Sequence, residues 1–225
     1  SKKGLNWYDY GARHYDAVLG RFTTNDRFAE KYYSMSPYQY GANSPVGNID
    51  VNGDSIIIKP NANGIIDQIK VLFGYDTKFQ KDVKADLFQL KQDDKKVADI
   101  IGKLEESKNI HYITMPKKGE YNSTGFNADK VKKNISQGSE IYYNPYNRRR
   151  GRNDSDMRTP RIGLAHELQH SFDVDKKVAT YERTKNGILL MDIRAINTEN
   201  RIRKVIGEPK RTMYGTQKVP KELLE

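Results

Sequence analysis

The chain is 225 residues long, with 36% hydrophobic and 30% charged residues, which suits one large or two small globular domains under a wet surface. It has no cysteine, which excludes disulfides, a thiol nucleophile and thiolate metal ligands, and leaves His, Asp, Glu and Tyr to hold any transition metal. The formal charge is +10, and the longest apolar runs, such as Ile56-Ile57-Ile58, are far too short to span a membrane.

Residues 1–53 carry six Lys/Arg against five Asp/Glu, so the basic excess lies downstream, densest in "RRRGR" at Arg148–Arg152. That run sits among Asn, Gly, Ser and Asp without periodicity and reads as a solvated loop, with an acidic substrate or partner as the alternative. No secretory apolar segment follows the N-terminus and the chain starts at Ser1, so it reads as a piece of a longer protein.

In chain order, the first 53 residues differ in kind from the rest. They hold seven of the fifteen tyrosines and the only tryptophan, and Gly11, Gly20, Asn25, Gly41, Gly47 and Gly53 recur as turn residues. Short aromatic strands joined by tight turns fit this pattern. So small a segment does not bury its rings alone and is expected to be one end of a larger β structure. The motifs "YDYGARHYD", "LGRF", "AEKYYSMSPYQYGANSP" and "IDVNG" resemble the RHS repeat-associated core, the C-terminal end of the shell in RHS/YD-repeat polymorphic toxins, over about residues 4–53. The resemblance implies that the residues after Gly53 are a toxin cargo, exported to act inside a target cell. It also implies two partners, the RHS shell of the parent chain and a cognate immunity protein. Asp16-Ala17, Asp26-Arg27 and Asp50-Val51 stand where that family usually has Asp-Pro. Some relatives cleave themselves at the last of these; Val51 removes the proline, and Asp50 and Asn52 read as a turn before a strand.

From Asp54 onward the texture changes. "SIIIKP" predicts a strand and Asn61–Gly64 a turn. Phe79, Val83, Leu87 and Leu90 recur with helical spacing, and Val97, Ile100, Ile101 and Leu104 repeat the design in a second helix. "IHYITM" and "SEIYYNP" read as strands, the latter expected by analogy to line a cleft and pair with an extended substrate.

The chemistry is concentrated in "RIGLAHELQHSFD", Arg161 to Asp173, which holds two of the four histidines. Thr159 and Pro160 predict a helix start, with Thr159 as N-cap. On that helix His166 and His170 stand one turn apart, while Leu164, Leu168 and Phe172 form a stripe on roughly the opposite side. This is H-E-x-x-H: two imidazoles for zinc, with Glu167 placed to take a proton from a metal-activated water. Such a site needs a third ligand, and position 176, where a third histidine would continue the motif, is Lys.

A later helix, "LLMDIRAINTENRIRKVI", offers acids instead. Asp192 and Glu199 lie two turns apart near the apolar side of Ala195, Ile202 and Ile206, with Arg194 and Arg201 on the expected solvent face. Seven helical residues span about 10 Å, so both acids do not bind one metal. Asp192 is expected as the third ligand and Glu199 as a supporting or substrate group, with the reverse assignment as the alternative. Farther on, Arg211 and Tyr214 are candidates to polarise a carbonyl and stabilise its oxyanion.

Taken in order, "GLAHELQHSFD", "MDIRAINTENRIR" and "GEPKRTMYG" are similar to the NleD-like effector metallopeptidases over about residues 110–216. That resemblance implies His166 and His170 as zinc ligands, Glu167 as catalytic base and Asp192 at the position where relatives commonly have Glu. Arg211 and Tyr214 also resemble the Arg-x-x-Tyr pair of the clostridial neurotoxin light chains, where such residues support the transition state. The resulting expectation is an α+β chain: residues 1–53 an aromatic β-rich RHS remnant, residues 54–225 a zincin-like domain with a small mixed sheet on the H-E-x-x-H helix. Its expected activity is zinc-dependent cleavage of a target-cell protein, with no membrane span and no nucleic-acid partner. The alternative is a non-enzymatic basic module that binds nucleic acid or an acidic protein and carries a vestigial metal site.

Overall fold

The computed structural model describes residues 7–9, 14–25, 36, 38, 49–50, 55–62, 64–72, 75–148 and 158–225. Within the aromatic N-terminal segment, β1 (Trp7–Asp9), β2 (His14–Asp16) and β3 (Arg21–Phe22) form an antiparallel meander. Its β2–β3 turn is built by Asp16, whose Oδ1 accepts from the N–H groups of Val18 (2.8 Å) and Leu19 (3.1 Å), and by Gly20 at φ +65°. Phe22 is buried, edge-on to Tyr15 at 5.8 Å. The turn at Asn52 and most of the other motifs in residues 1–53 lie outside the described residues.

The main sheet has five strands: β4 (Ile49–Asp50), β5 (Ile56–Ile58), β6 (His111–Thr114), β7 (Ser123–Gly125) and β8 (Ser139–Tyr142). Their order is β4-β5-β6-β8-β7, with β5, β6 and β8 parallel and the two edge strands antiparallel. Asp50, expected in a turn, pairs with Ile57, so the sheet takes residues from both sides of position 53. The strand from "SEIYYNP" is not an edge: β8 is flanked by β6 and β7, and its backbone is already paired on both sides. On that side of the sheet the edge strand is β7.

Parallel strands need crossovers. Between β5 and β6 run α1 (Ile65–Leu72), α2 (Lys78–Asp93) and α3 (Lys95–Glu105); between β6 and β8 run β7 and the short α4 (Ala128–Lys132). A capping box between Thr77 and Gln80 starts α2, and Asp94 both ends α2 and caps α3. Burial follows the spacing in the sequence: Phe79, Val83, Leu87 and Leu90 on α2, Val97, Ile101 and Leu104 on α3. In the sheet, Ile58, Ile113 and Ile141 stand in one row across the parallel strands, all fully buried. Truncating any one to Ala removes about 2–5 kcal/mol.

Onto this layer pack α5 (Pro160–Asp175) and α6 (Leu190–Ile206). Leu164 and Leu168 of α5 belong to the main core, whereas Phe172 is only partly buried at its margin. Because α6 closes its other side, α5 is enclosed on nearly every face. Thr159 stands at the N-cap position but does not cap: its N–H and hydroxyl both donate to Glu208 Oε1, at 2.7 and 2.6 Å. Arg194 and Arg201 are not a plain solvent face either. Arg194 donates to the buried Asp173 (2.9 Å), and Arg201 makes a two-pronged contact to Asp94 (2.8 and 2.9 Å). After α6 ends at Gly207, φ +75°, the hairpin β9 (Met213–Tyr214) and β10 (Gln217–Lys218) returns over a second small core of Ile188, Ile193, Ile196 and Val219. The chain is therefore a mixed α+β structure, and no described helix is long and apolar enough to cross a membrane.

Candidate metal centre

His166 and His170 sit one turn apart on α5 and turn their Nε2 atoms toward each other at 3.2 Å. His170 Nε2 lies 3.6 Å from Asp192 Oδ1, in the first turn of α6. One donor atom from each of His166, His170 and Asp192 falls within 4.8 Å of the others, and all three residues are buried. Bonds of about 2.0–2.2 Å to a tetrahedral cation place ligand atoms about 3.3–3.6 Å apart. The observed 3.2 and 3.6 Å match such a cation, and the wider bound of 4.8 Å on the whole set leaves the His166–Asp192 pair to draw in around it. Burial, reinforced by the neighbouring His166 and Arg194, holds His170 well below the ordinary imidazole range, so it stays neutral with a lone pair to give.

Glu199 lies on the other side of His166. Its Oε1 is 3.2 Å from His166 Nδ1, a close contact that falls short of a well-directed hydrogen bond. The same oxygen accepts from Arg158 Nη1 at 2.6 Å and from Arg211 Nη1 at 2.9 Å. Burial alone would raise this carboxyl, but His166, Arg158 and Arg211 outweigh it and keep it ionised. An imidazole gives a metal one nitrogen and orients itself through the other. The structure thus places Asp192 at the Nε2 face of the histidine pair and Glu199 at the Nδ1 face of His166.

Glu167 is fully enclosed, with Thr124 of the edge strand β7 donating to its Oε2 at 2.8 Å. Burial pushes its carboxyl up, against the pull of His166, Thr124 and Arg158. Tyr214 rests on the second core near Asp192; burial and that carboxylate keep its phenol protonated far above neutral pH. Arg211 is anchored at both ends, Nη1 on Glu199 and Nε on the carbonyl of Met213 (3.0 Å), with its guanidinium 5.5 Å from the Tyr214 ring centre.

All seven residues singled out in the sequence converge here. Two that sequence reasoning missed join them. Thr124 lies on a strand with no pattern of its own. Arg158 stands just before the Thr-Pro helix start, and its buried side chain crosses α5 to reach Glu199. A crossing this close requires Gly163, since a Cβ there would fall 2.5 Å from Arg158 Nη2 and from Asn122 Nδ2. Of the basic run, only Arg148 is among the described residues; its carbonyl accepts from the Arg158 N–H at 2.7 Å. No family model, curated protein or solved structure matches the chain.

Proposed function

We propose that this chain is a zincin-like metallopeptidase, the toxin cargo of an RHS polymorphic toxin, hydrolysing a protein of the cell it enters. The observation that carries the reading is the close set of His166, His170 and Asp192 donor atoms with Glu167 beside it. Two imidazoles and one carboxylate are the donor set of a catalytic zinc site with an open position. When bound, zinc supplies Lewis acidity, which lowers the pKa of water and polarises a carbonyl.

The chain's own residues supply the rest. Glu167, a carboxylate made more basic by burial, takes the proton of the attacking water and passes it to the leaving amine. Tyr214 keeps its proton at neutral pH and donates to the developing oxyanion. Arg211 is held on Glu199 and acts by positioning, through the Glu199 contact to His166 Nδ1. The edge strand β7 accepts an extended substrate by strand addition, and Thr124 in its middle touches Glu167, so that a pairing peptide runs past the base.

The test is growth inhibition on expression inside cells, together with proteolysis of their proteins. Wild type should inhibit and cleave; Glu167→Gln should fold, keep its metal and lose about 10²–10⁴-fold of the cleavage rate. A Glu167→Gln chain as toxic as wild type rules out hydrolysis as the mechanism.

A further inference from the structure

Asp192 needs an anchor that its own helix does not supply. It stands in the first turn of α6, where the N-cap residue Leu189 gives no side-chain cap and the first N–H, that of Leu190, is held by the Glu182 carbonyl at 2.9 Å. Those backbone bonds hold the turn but not its rotation against α5, and a metal ligand must hold its position to about 0.2 Å. Apolar packing is non-directional and does not by itself fix the phase of one helix against another. A slip of α6 by one residue moves each side chain by about 1.5 Å along the axis and turns it about 100°. Either displacement takes Asp192 away from the histidines.

Beside the ligands runs a ring of four polar side chains. Arg194 Nε donates to Asp173 Oδ2 at 2.9 Å, and Gln169 Nε2 donates to Asp173 Oδ1 at 2.8 Å. Thr198 Oγ1 donates to Gln169 Oε1 at 2.7 Å and also approaches the Arg194 carbonyl at 3.1 Å. Gln169 and Asp173 are four apart on α5, Arg194 and Thr198 four apart on α6, so one helical turn on each side closes the ring. The carboxamide of Gln169 is used at both ends, nitrogen to a carboxylate and oxygen to a hydroxyl, which fixes its orientation. Asp173 is fully buried, Gln169 and Thr198 nearly so. Arg194 reaches one step further, its Nη2 donating to the Val178 carbonyl at 2.7 Å, and so ties the chain leaving α5 to the start of α6.

We infer that Gln169, Asp173, Arg194 and Thr198 are positioning residues for a divalent cation, setting the phase of α6 so that Asp192 faces His166 and His170. The inference rests on the metal-centre reading above. None of the four touches the reacting groups of the proposed hydrolysis. Hydrogen bonds demand donor–acceptor distances within a few tenths of an ångström, and the two that cross between the helices, Arg194 to Asp173 and Thr198 to Gln169, hold α6 in one register against α5.

The test is zinc affinity of the whole chain, measured by competition with a chromophoric chelator, together with the absorption spectrum of the Co2+ derivative. Thr198→Val keeps the shape and removes one donor; Asp173→Asn keeps the shape and removes the charge. Zinc binding should weaken about 10-fold in the first and up to about 100-fold in the second, with altered Co2+ bands. Thr198→Ser should restore both. Val83→Ala, in the core of α2, should lower thermal stability and leave affinity and spectrum unchanged. Thr198→Val and Asp173→Asn chains that bind zinc as tightly as wild type, with the same Co2+ spectrum, overturn the inference. A wild-type chain that takes up no zinc overturns the metal-centre reading itself, and is recognised by failure of the parent rather than of the variants.

Discussion

His166 and His111 each lie against a buried carboxylate, Glu199 at 3.2 Å and Asp175 at 3.7 Å, the first beside the middle of α5 and the second at its end. The two carboxylates are held by different chemistry. Glu199 is gripped by the guanidinium groups of Arg158 and Arg211. Asp175 takes its hydrogen bonds mainly from neutral groups on the sheet side, Ser107 Oγ and Asn109 Nδ2 (2.7 Å), with Lys176 at 2.7 Å on its other oxygen. The free nitrogens differ as well. His166 Nε2 faces His170, whereas His111 Nδ1 is spent on Ser139 Oγ (2.9 Å), itself bonded to Ser171 of α5. Among the described residues only His166 of the two histidines belongs to a set of three ligand atoms. One pair therefore presents an imidazole for work, and the other staples the end of α5 to the sheet.

That contrast can be broken by substitution. The largest effect is expected at Glu199→Gln, which strands Arg158 and Arg211 as buried charges: unfolding free energy should fall by about 3–5 kcal/mol in denaturant titration. A change under about 1 kcal/mol would mean the guanidinium groups find other partners. His111→Ala should cost about 1–3 kcal/mol, because Ser139 and Asp175 lose a buried partner. It should leave zinc affinity untouched; weaker binding there would erase the distinction between the two histidines.

A smaller effect distinguishes the staple by its response to acid. Burial would raise the Asp175 carboxyl, but hydrogen bonds from Ser107 and Asn109 and the Lys176 ammonium beside it prevail and hold it well below the usual carboxylate range; His111, at 3.7 Å, is too far for a strong hydrogen bond. A depressed folded-state value means stability that is fully present above the unfolded value of about 3.9 and lost as pH falls through the lower folded value. The stability difference between wild type and Asp175→Asn should stay constant from neutral pH to about pH 5 and shrink below about pH 4. A difference that grows on acidification contradicts the assignment. The smallest effect is expected at Thr124→Val, about 0.5–1.5 kcal/mol of stability, with a modest fall in cleavage rate as Glu167 loses its tether.

What the sequence made legible was whatever depends on local period. The spacing of Phe79, Val83, Leu87 and Leu90 placed α2, and H-E-x-x-H placed two imidazoles on one helical face. Helical rise also showed that Asp192 and Glu199 do not share one metal. Which of them faces the histidines depends on how α6 lies against α5, a tertiary matter that appears only once Asp192 is seen at His170 Nε2 and Glu199 at His166 Nδ1. Arg194 was misread for the same reason: a helical wheel assigns it to solvent, yet the end of α5 and the buried Asp173 stand on that side. Thr159 has N-cap chemistry by type, but Glu208, 49 residues later, offers its hydroxyl a charged acceptor that the helix start does not. "SEIYYNP" and "STG" are both short strands, and nothing in their composition says that the second is the edge. Arg158 and Thr124 act across chain distances of 41 and 43 residues, beyond the reach of any periodicity.

The central claim is that His166, His170 and Asp192 together hold one divalent cation. The most direct measurement is the zinc content per chain after equilibration with zinc and exhaustive dialysis, for wild type, His166→Ala, Asp192→Ala and His111→Ala. About one zinc per chain is expected in wild type and in His111→Ala, and close to none in His166→Ala and Asp192→Ala. Wild type without zinc, or His166→Ala with as much zinc as wild type, contradicts it.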